Sequence, residues 1–161
     1  MIIAFPPCTY LSNAGVRWFN EDRYGDAARA RKDMRLAAME FVLSINYSDC
    51  ARIAIENPVG YLNSHWRKPD QIIQPYQFGD PERKRTCLWL KNLPLLKPTN
   101  IVEPKMYGRL QTGTRKGKPI YFSDTHPGEN DSISRSKTFL GIAKAMAAQW
   151  TNISGQQKKL F

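Results

Sequence analysis

Two short apolar runs with a long amphipathic helix between them constrain the fold of this chain more than any other feature. The runs are Met1-Ile2-Ile3-Ala4 and Ala51-Arg52-Ile53-Ala54-Ile55, and their β-branched residues predict buried strands. The helix predicted between them starts at an N-cap, Asp26, and fades near residues 47–49. Its apolar stripe, at helical spacing, consists of Ala27, Ala30, Met34, Ala38, Phe41, Val42 and Ile45. Strand, helix and strand in this order form a βαβ unit with parallel strands and a right-handed crossover.

The rest of the chain adds weaker elements to this α/β core. Residues 71–74 and 86–90 predict two strands that extend the same sheet, joined by a turn at residues 78–81. Faint strand signals follow at residues 101–102 and 120–122. A closing helix is predicted over residues 137–151, with an apolar stripe of Phe139, Ile142, Ala143, Met146 and Trp150.

The length of 161 residues predicts one α/β domain over residues 1–151. Within it, residues 1–90 form the core, residues 91–130 an irregular basic insertion and residues 131–151 the part with the closing helix. Residues 152–161 are a polar tail.

A cysteine lies just beyond the first predicted strand. Pro6 and Pro7 end that strand, because neither donates a backbone hydrogen bond and both fix φ near −65°. Cys8 is therefore predicted on a stiff turn at the carboxyl edge of the sheet, where open parallel sheets bind ligands. Glu56 follows the second strand and is predicted to face the same pocket. Cys8 is placed like a nucleophile, and the alternative is a half-buried cysteine without a chemical role.

Composition limits the classes of site and partner. Cys8, Cys50 and Cys87 have no paired spacing, and with two histidines they cannot form an ordinary zinc site. No apolar run approaches a membrane span and no signal peptide is recognisable, which predicts a reduced, cytoplasmic protein without a membrane partner. The 24 Lys and Arg residues exceed the 14 Asp and Glu residues, giving +10 and favouring nucleic acid as partner.

The positive charge is concentrated in one irregular stretch, called here the basic arm. No acidic residue lies between Lys105 and Lys118, and Tyr107 and several glycines are interspersed. This composition predicts an arm that contacts the phosphate backbone of DNA, and the alternative is a solvated loop. The cations of the arm are Lys105, Arg109, Arg115, Lys116 and Lys118.

Three segments, in order, resemble the DNA cytosine-5 methyltransferase family. Residues 6–15, Pro-Pro-Cys-x-x-x-Ser-x-Ala-Gly, resemble its catalytic-cysteine segment, and Glu56-Asn57 resembles its Glu-Asn-Val segment. Residues 78–86 resemble its Tyr-Gly-Val-Pro-Gln-x-Arg-x-Arg segment more loosely, with Glu82, Lys84 and Thr86 replacing Gln, Arg and Arg. The resemblance covers residues 1 to about 90, and the compact size favours a phage or mobile-element branch.

The resemblance implies a Rossmann-like, methyltransferase-type sheet and a set of roles. Cys8 is the nucleophile that adds to C6 of a flipped cytosine, Glu56 holds N3, and Lys84 supports Glu56 as a cation. The implied substrate-binding residues are Pro7, Ser12, Asn57 and Thr86. Arg83 and Arg85 join the basic arm as implied DNA-binding residues.

The resemblance also implies S-adenosylmethionine as cofactor, yet the segment that binds it is not found. The chain starts at what would be the family's fourth strand, and none of its ten glycines forms Gly-x-Gly. Pro6 and Ser136 are the weak cofactor-side matches. A sheet cut at this point leaves its first strand as an edge, so a second polypeptide or a homodimer is predicted to cover it.

Three functions therefore remain open. The chain is the catalytic half of a split or truncated methyltransferase, or an inactive descendant that binds DNA or a protein partner. The third function is that of a cysteine hydrolase, in which Cys8 pairs with His65 or His126.

Overall fold

A computed structural model of the 161-residue chain describes residues 1–121 and 139–151. These residues divide into two compact units. The first contains Met1–Ile73 and Arg85–Leu95, and the second contains Gln74–Lys84 and the described residues from Leu96 onward. Each unit has its own elements.

The first unit is built on a four-stranded sheet. Strands β1 (Ile2–Ala4), β2 (Ile53–Pro58), β3 (Gln71–Ile73) and β4 (Thr86–Lys91) lie in the order β1-β2-β4-β3. The first two are parallel neighbours, with Ile2 opposite Ile53 and Ala4 opposite Ile55, as the βαβ pattern predicts. Because β4 runs antiparallel to both β2 and β3, the sheet is mixed. The α/β class and the four strands of this unit are confirmed.

Helix α1 (Glu21–Asn46) crosses from β1 to β2. Its N-cap lies six residues before the predicted one, so the prediction of Asp26 as N-cap is wrong. Asn20 is the N-cap instead, and its side chain accepts a hydrogen bond from the Arg23 N–H at 2.9 Å. Gly25 then adopts φ +50° and ψ −126°, which kinks the helix just before Asp26. The spacing of apolar residues in the sequence does not indicate this kink.

Only part of the predicted apolar stripe of α1 is buried. Val42 is fully buried and Ala38 and Ile45 pack partly against the core, as predicted. The remaining predicted members of the stripe are exposed on a neighbouring face: Ala27, Ala30, Met34 and Phe41. At about 100° per residue, the two groups cover adjacent sectors of one helix, and the sheet contacts only one of them.

The core of the first unit lies between α1 and the sheet. It consists of Leu11, Val42, Ile53, Ile55, Leu62, Cys87 and Trp89. Leu62 comes from a short helix, α2 (Tyr61–His65), within a region where the sequence alone predicts no element. The buried indole of Trp89 donates a hydrogen bond to the Arg67 carbonyl at 2.9 Å, which satisfies its polar group.

The second unit contains a hairpin and a helix. Strands β5 (Gly108–Arg109) and β6 (Pro119–Ile120) pair antiparallel, and helix α3 spans Leu140–Thr151. The predicted stripe of α3 is largely confirmed, since Ile142, Met146 and Trp150 are buried. The strand predicted at residues 101–102 is wrong, because Val102 makes one isolated backbone bond to Tyr76 instead of a ladder. Residues 122 and 137–138 of the predicted elements, and the tail, lie outside the described residues.

Within residues 1–121 and 139–151, none of the helices combines the length and the apolar character that crossing a bilayer requires.

A hydrogen bond between a tyrosine hydroxyl and a carboxylate holds the base of the β5–β6 hairpin. Tyr107 precedes β5, and its hydroxyl donates to Glu82 Oε1 at 2.6 Å. This bond raises the pKa of Tyr107 to about 12, because ionising the phenol would break the bond and oppose two negative charges. The carboxylate thus holds the neutral form of Tyr107.

We expect Glu82→Gln to return the pKa of Tyr107 towards about 10, the ordinary value for tyrosine. Ultraviolet titration of the phenolate in the wild type, in E82Q and in Tyr107→Phe measures this shift. One tyrosine should ionise earlier in E82Q and disappear from the titration in Y107F. Identical titrations of wild type and E82Q would contradict the fastening of the hairpin by this bond.

Candidate active site

The turn after β1 presents Cys8 as the sequence predicts. The N–H groups of Leu11 and Ser12 both donate to the Cys8 carbonyl, at 3.1 and 2.9 Å. Pro6 is buried before the turn and Leu11 is fully buried after it, so both ends are fixed. Cys8 itself is half-buried and free. A thiol with partial access on a hydrogen-bonded turn suits a reacting group.

Strand β2 brings Asn57 beside this turn, whereas a pocket shared by Glu56 and Cys8 stays a prediction. Glu56 and Asn57 both lie within the strand, which extends to Pro58, whereas the sequence predicts that the strand ends at Ile55. Their side chains point to opposite faces of the sheet, as successive strand residues do. Asn57 is 1% exposed and its Nδ2 donates to the Pro6 carbonyl at 2.8 Å. Asn57 therefore links the second motif directly to the first.

A second set of contacts joins the loops beyond β1 and β2. The Tyr61 N–H donates to the Leu11 carbonyl at 2.7 Å, and Ser12 forms an isolated antiparallel bridge with Gly60. A Cβ atom at Gly60 would lie 2.0 Å from the Leu11 carbonyl oxygen, so only glycine permits this approach. The two loops form one continuous surface that carries Cys8 and Ser12.

Two arginines of α1 brace the cysteine turn from the side. Arg31 Nη2 donates to the Thr9 carbonyl at 2.9 Å, and Arg35 Nε donates to the Tyr10 carbonyl at 3.0 Å. Burial lowers the pKa of Arg35 from its ordinary value. Both arginines are half-buried, because they share the helix face that carries Ala28 and Val42. The helical spacing of the two arginines from those buried residues is the sequence feature that indicates this shared face.

The other two cysteines occupy different environments. Cys50 precedes β2 and thus lies at the amino edge of the parallel pair, opposite to the edge that carries Cys8. Cys87 is buried in the core, and desolvation raises the pKa of its thiol. Burial keeps that thiol protonated and inert. Cys8 is the cysteine placed at the carboxyl edge.

The contacts of His65 do not support its predicted pairing with Cys8 in a cysteine hydrolase. The His65 ring stacks on Tyr61 with centroids 3.8 Å apart, and its Nδ1 lies 2.8 Å from Ser64 Oγ. These partners belong to the same short helix. His126 lies outside the described residues. Within the described ranges, no group of three or more His, Cys, Asp or Glu side chains is arranged to hold a metal ion.

The third motif is divided between the two units. Thr86 is buried at the start of β4, opposite Pro58 of β2, and Arg85 is exposed just before it. In the second unit, Lys84 Nζ lies 5.7 Å from the centre of the Phe139 ring, and the Arg83 guanidinium lies 4.7 Å from that of Tyr121. The support of Glu56 by Lys84 stays a prediction. The weak cofactor-side residue Ser136 lies outside the described residues.

Residues 110–118 of the basic arm form the loop of the β5–β6 hairpin. Arg115, Lys116 and Lys118 are exposed there, and Arg109 Nη1 closes the loop by donating to the Gly117 carbonyl at 2.8 Å. Lys105 lies outside the hairpin, with Nζ 5.0 Å from the Tyr107 ring centre. The hairpin therefore presents a cluster of cations. Because these like charges repel one another, an anionic partner that neutralises them would be bound favourably.

We expect Gly60→Ala to destabilise the first unit by at least about 1–3 kcal/mol, because the added methyl group overlaps the Leu11 carbonyl. Urea denaturation measures the loss. Gly113→Ala is a control, because a Cβ there meets nothing within 4 Å and its cost comes from φ +77° alone. A G60A protein as stable as the wild type would contradict the close approach of the two loops.

Comparison of the chain with protein-family models, curated proteins and solved structures finds no match in any of the three. The chemistry of the Cys8 turn, of β2 and of the basic arm therefore carries the functional argument.

Proposed function

We propose that this chain is the base-activating part of a DNA cytosine-5 methyltransferase. The observation that carries the proposal is the direct bond from Asn57, in the Glu-Asn motif, to Pro6, in the Pro-Pro-Cys motif. That bond joins the two segments whose side chains this chemistry requires. Cys8 is the nucleophile and Glu56 the acid that binds the ring.

Each residue has a defined step in the proposed activation. The Cys8 thiolate forms a bond to C6 of a flipped cytosine, while protonated Glu56 gives its proton to N3. The C5–C6 π electrons then become available at C5, which takes a proton from water. Loss of the original C5 hydrogen and breaking of the S–C6 bond restore the thiolate, and N3 returns its proton to Glu56. The net result is hydrogen exchange at C5.

The neighbouring residues complete the proposed base pocket. Pro7, Ser12, Asn57 and Thr86 are the proposed substrate-binding residues, and Asn57 acts through its hydrogen bond to the Pro6 carbonyl. Arg83 and Arg85, together with the basic arm, bind DNA. A reduced, cytoplasmic location belongs to the proposal, because the nucleophilic thiol must remain free.

S-adenosylmethionine does not fit the turn that the first strand provides. A glycine-rich turn lets a backbone approach such a cofactor, but here β1 is followed by Pro6 and Pro7. In the described residues, β1 pairs with β2 alone and is an edge of the sheet. We therefore propose a Rossmann-like sheet that is open at β1, and assign methyl-donor binding to a second polypeptide.

We expect the isolated chain to release tritium from DNA labelled at C5 of cytosine, without transferring a methyl group from labelled S-adenosylmethionine. Cys8→Ala should abolish tritium release because no addition at C6 can occur. Glu56→Gln should lower it by about 10²–10⁴-fold, the usual contribution of a positioned acid.

Cys50→Ala is the matched control, because Cys50 is also half-buried and free but lies at the opposite edge. It should retain wild-type exchange. DNA binding without any tritium release would identify the chain as an inactive DNA-binding descendant. Methyl transfer that depends on Cys8 would show that the chain is a complete enzyme and would overturn the need for a second polypeptide.

The basic arm should supply much of the affinity for DNA through phosphates. Replacing Arg115, Lys116 and Lys118 together with alanine should lower the slope of log affinity against log salt by about 3 if each contacts one phosphate. Fluorescence anisotropy with a labelled duplex over a series of salt concentrations measures this slope.

A second triple variant separates local contacts from net charge. It removes the same number of positive charges at exposed positions elsewhere, Arg23, Lys68 and Lys97. That variant should keep most of the wild-type slope. Equal slopes for the two variants would show that the arm is a solvated loop.

A further inference from the structure

Helix α1 carries a second apolar face that the sheet does not cover. Its residues recur at alternating steps of three and four, the spacing of a helix–helix seam. Met34 is 50% exposed and Phe41 is 51% exposed. The residues of this face, called here the outer seam, are Ala27, Ala30, Met34, Ala37 and Phe41.

The outer seam has a groove at one end and a protruding ring at the other. The groove has a volume of about 510 Å³ and is mostly apolar. It is lined by Tyr10, Trp18, Tyr24, Ala27, Ala30, Arg31 and Met34. Phe41 lies eleven residues beyond Ala30, which is about 16 Å along the helix. The same seam therefore carries both a hole and a side chain able to fill it.

We propose that two copies of this chain associate through their outer seams in antiparallel orientation. A two-fold axis near the middle of the seam places Phe41 of each copy over Ala30 and the groove of the other. The same axis places Met34 opposite Ala37. Each large side chain then faces a small one, so that the two surfaces interdigitate. A two-fold contact requires this kind of self-complementary patch.

The seam favours a second copy over an unrelated partner because both halves of the contact are on one helix. Seating a phenylalanine ring removes apolar area from water twice, once in each copy. The opposing term is electrostatic. Each copy carries a formal net charge of +10, so the two copies repel each other. Salt screens this repulsion, so the association tightens as salt rises.

The dimer does not depend on the chemistry proposed for Cys8. It gives α1 two uses on adjacent faces: Arg31 and Arg35 hold the cysteine turn, and the outer seam holds the second copy. Salt distinguishes this contact from DNA binding, which weakens as salt rises.

Sedimentation velocity of the full chain over a concentration series tests the proposal. The wild type should reach a dimer, more readily at high salt. Phe41→Asp should give a monomer, because it removes the inserted ring, and Ala30→Trp should do so by filling the groove. Leu36→Asp is the matched control: Leu36 is 56% exposed on the same helix but points away from the seam. It should dimerise like the wild type.

An exchange of large and small residues makes the test specific. The double variant A30F/F41A moves the ring to the other end of the seam and should restore the dimer that F41A alone loses. Circular dichroism checks that each variant is folded. A wild type that stays monomeric at every concentration, or a dimer that F41D leaves intact, would overturn the proposal and assign the seam to a different occupant.

Discussion

The bond from the Asn57 amide to the Pro6 carbonyl is the contact on which the proposed site depends. Parallel pairing alone sets β1 beside β2, but it does not fix the path of the chain once each strand ends. The buried amide and the Tyr61-to-Leu11 backbone bond fix both paths beyond the strands. Because a buried carbonyl without a partner costs about 1–3 kcal/mol, the cysteine turn has little freedom to separate from β2.

Helix α1 is unusual in serving three surfaces. Ala28 and Val42 pack inward, Arg31 and Arg35 reach the turn that carries Cys8, and Met34 and Phe41 face outward. The guanidinium groups satisfy backbone carbonyls that the turn cannot pair by itself, and Arg35 also lies over the Phe19 ring at 3.3 Å.

The fold was predictable where local patterns decide it. Apolar runs and helical spacing located β1, β2, β4 and the body of α1, and their order fixed the parallel pairing. The kink at Gly25 was not predictable. The helical spacing of Arg35 from Val42 indicates the face that they share, but not the Tyr10 carbonyl that Arg35 binds, because that partner depends on what the folded chain places nearby. Phe41 is a second example of what local patterns leave open. Its spacing indicates an apolar face of the helix, but it does not indicate which partner covers that face.

In the proposed function, the turn after β1 is the reason why a second polypeptide binds the methyl donor. Prolines at positions 6 and 7 make the turn rigid and orient Cys8, but a rigid proline turn cannot also bring backbone N–H groups close to a cofactor. One turn therefore holds either the nucleophile or the donor. Because β1 is an edge strand in the described part of the chain, the proposal puts the donor-binding strand on its open side. Such pairing would extend the parallel sheet and place a second turn beside Cys8 without disturbing the Asn57 bond.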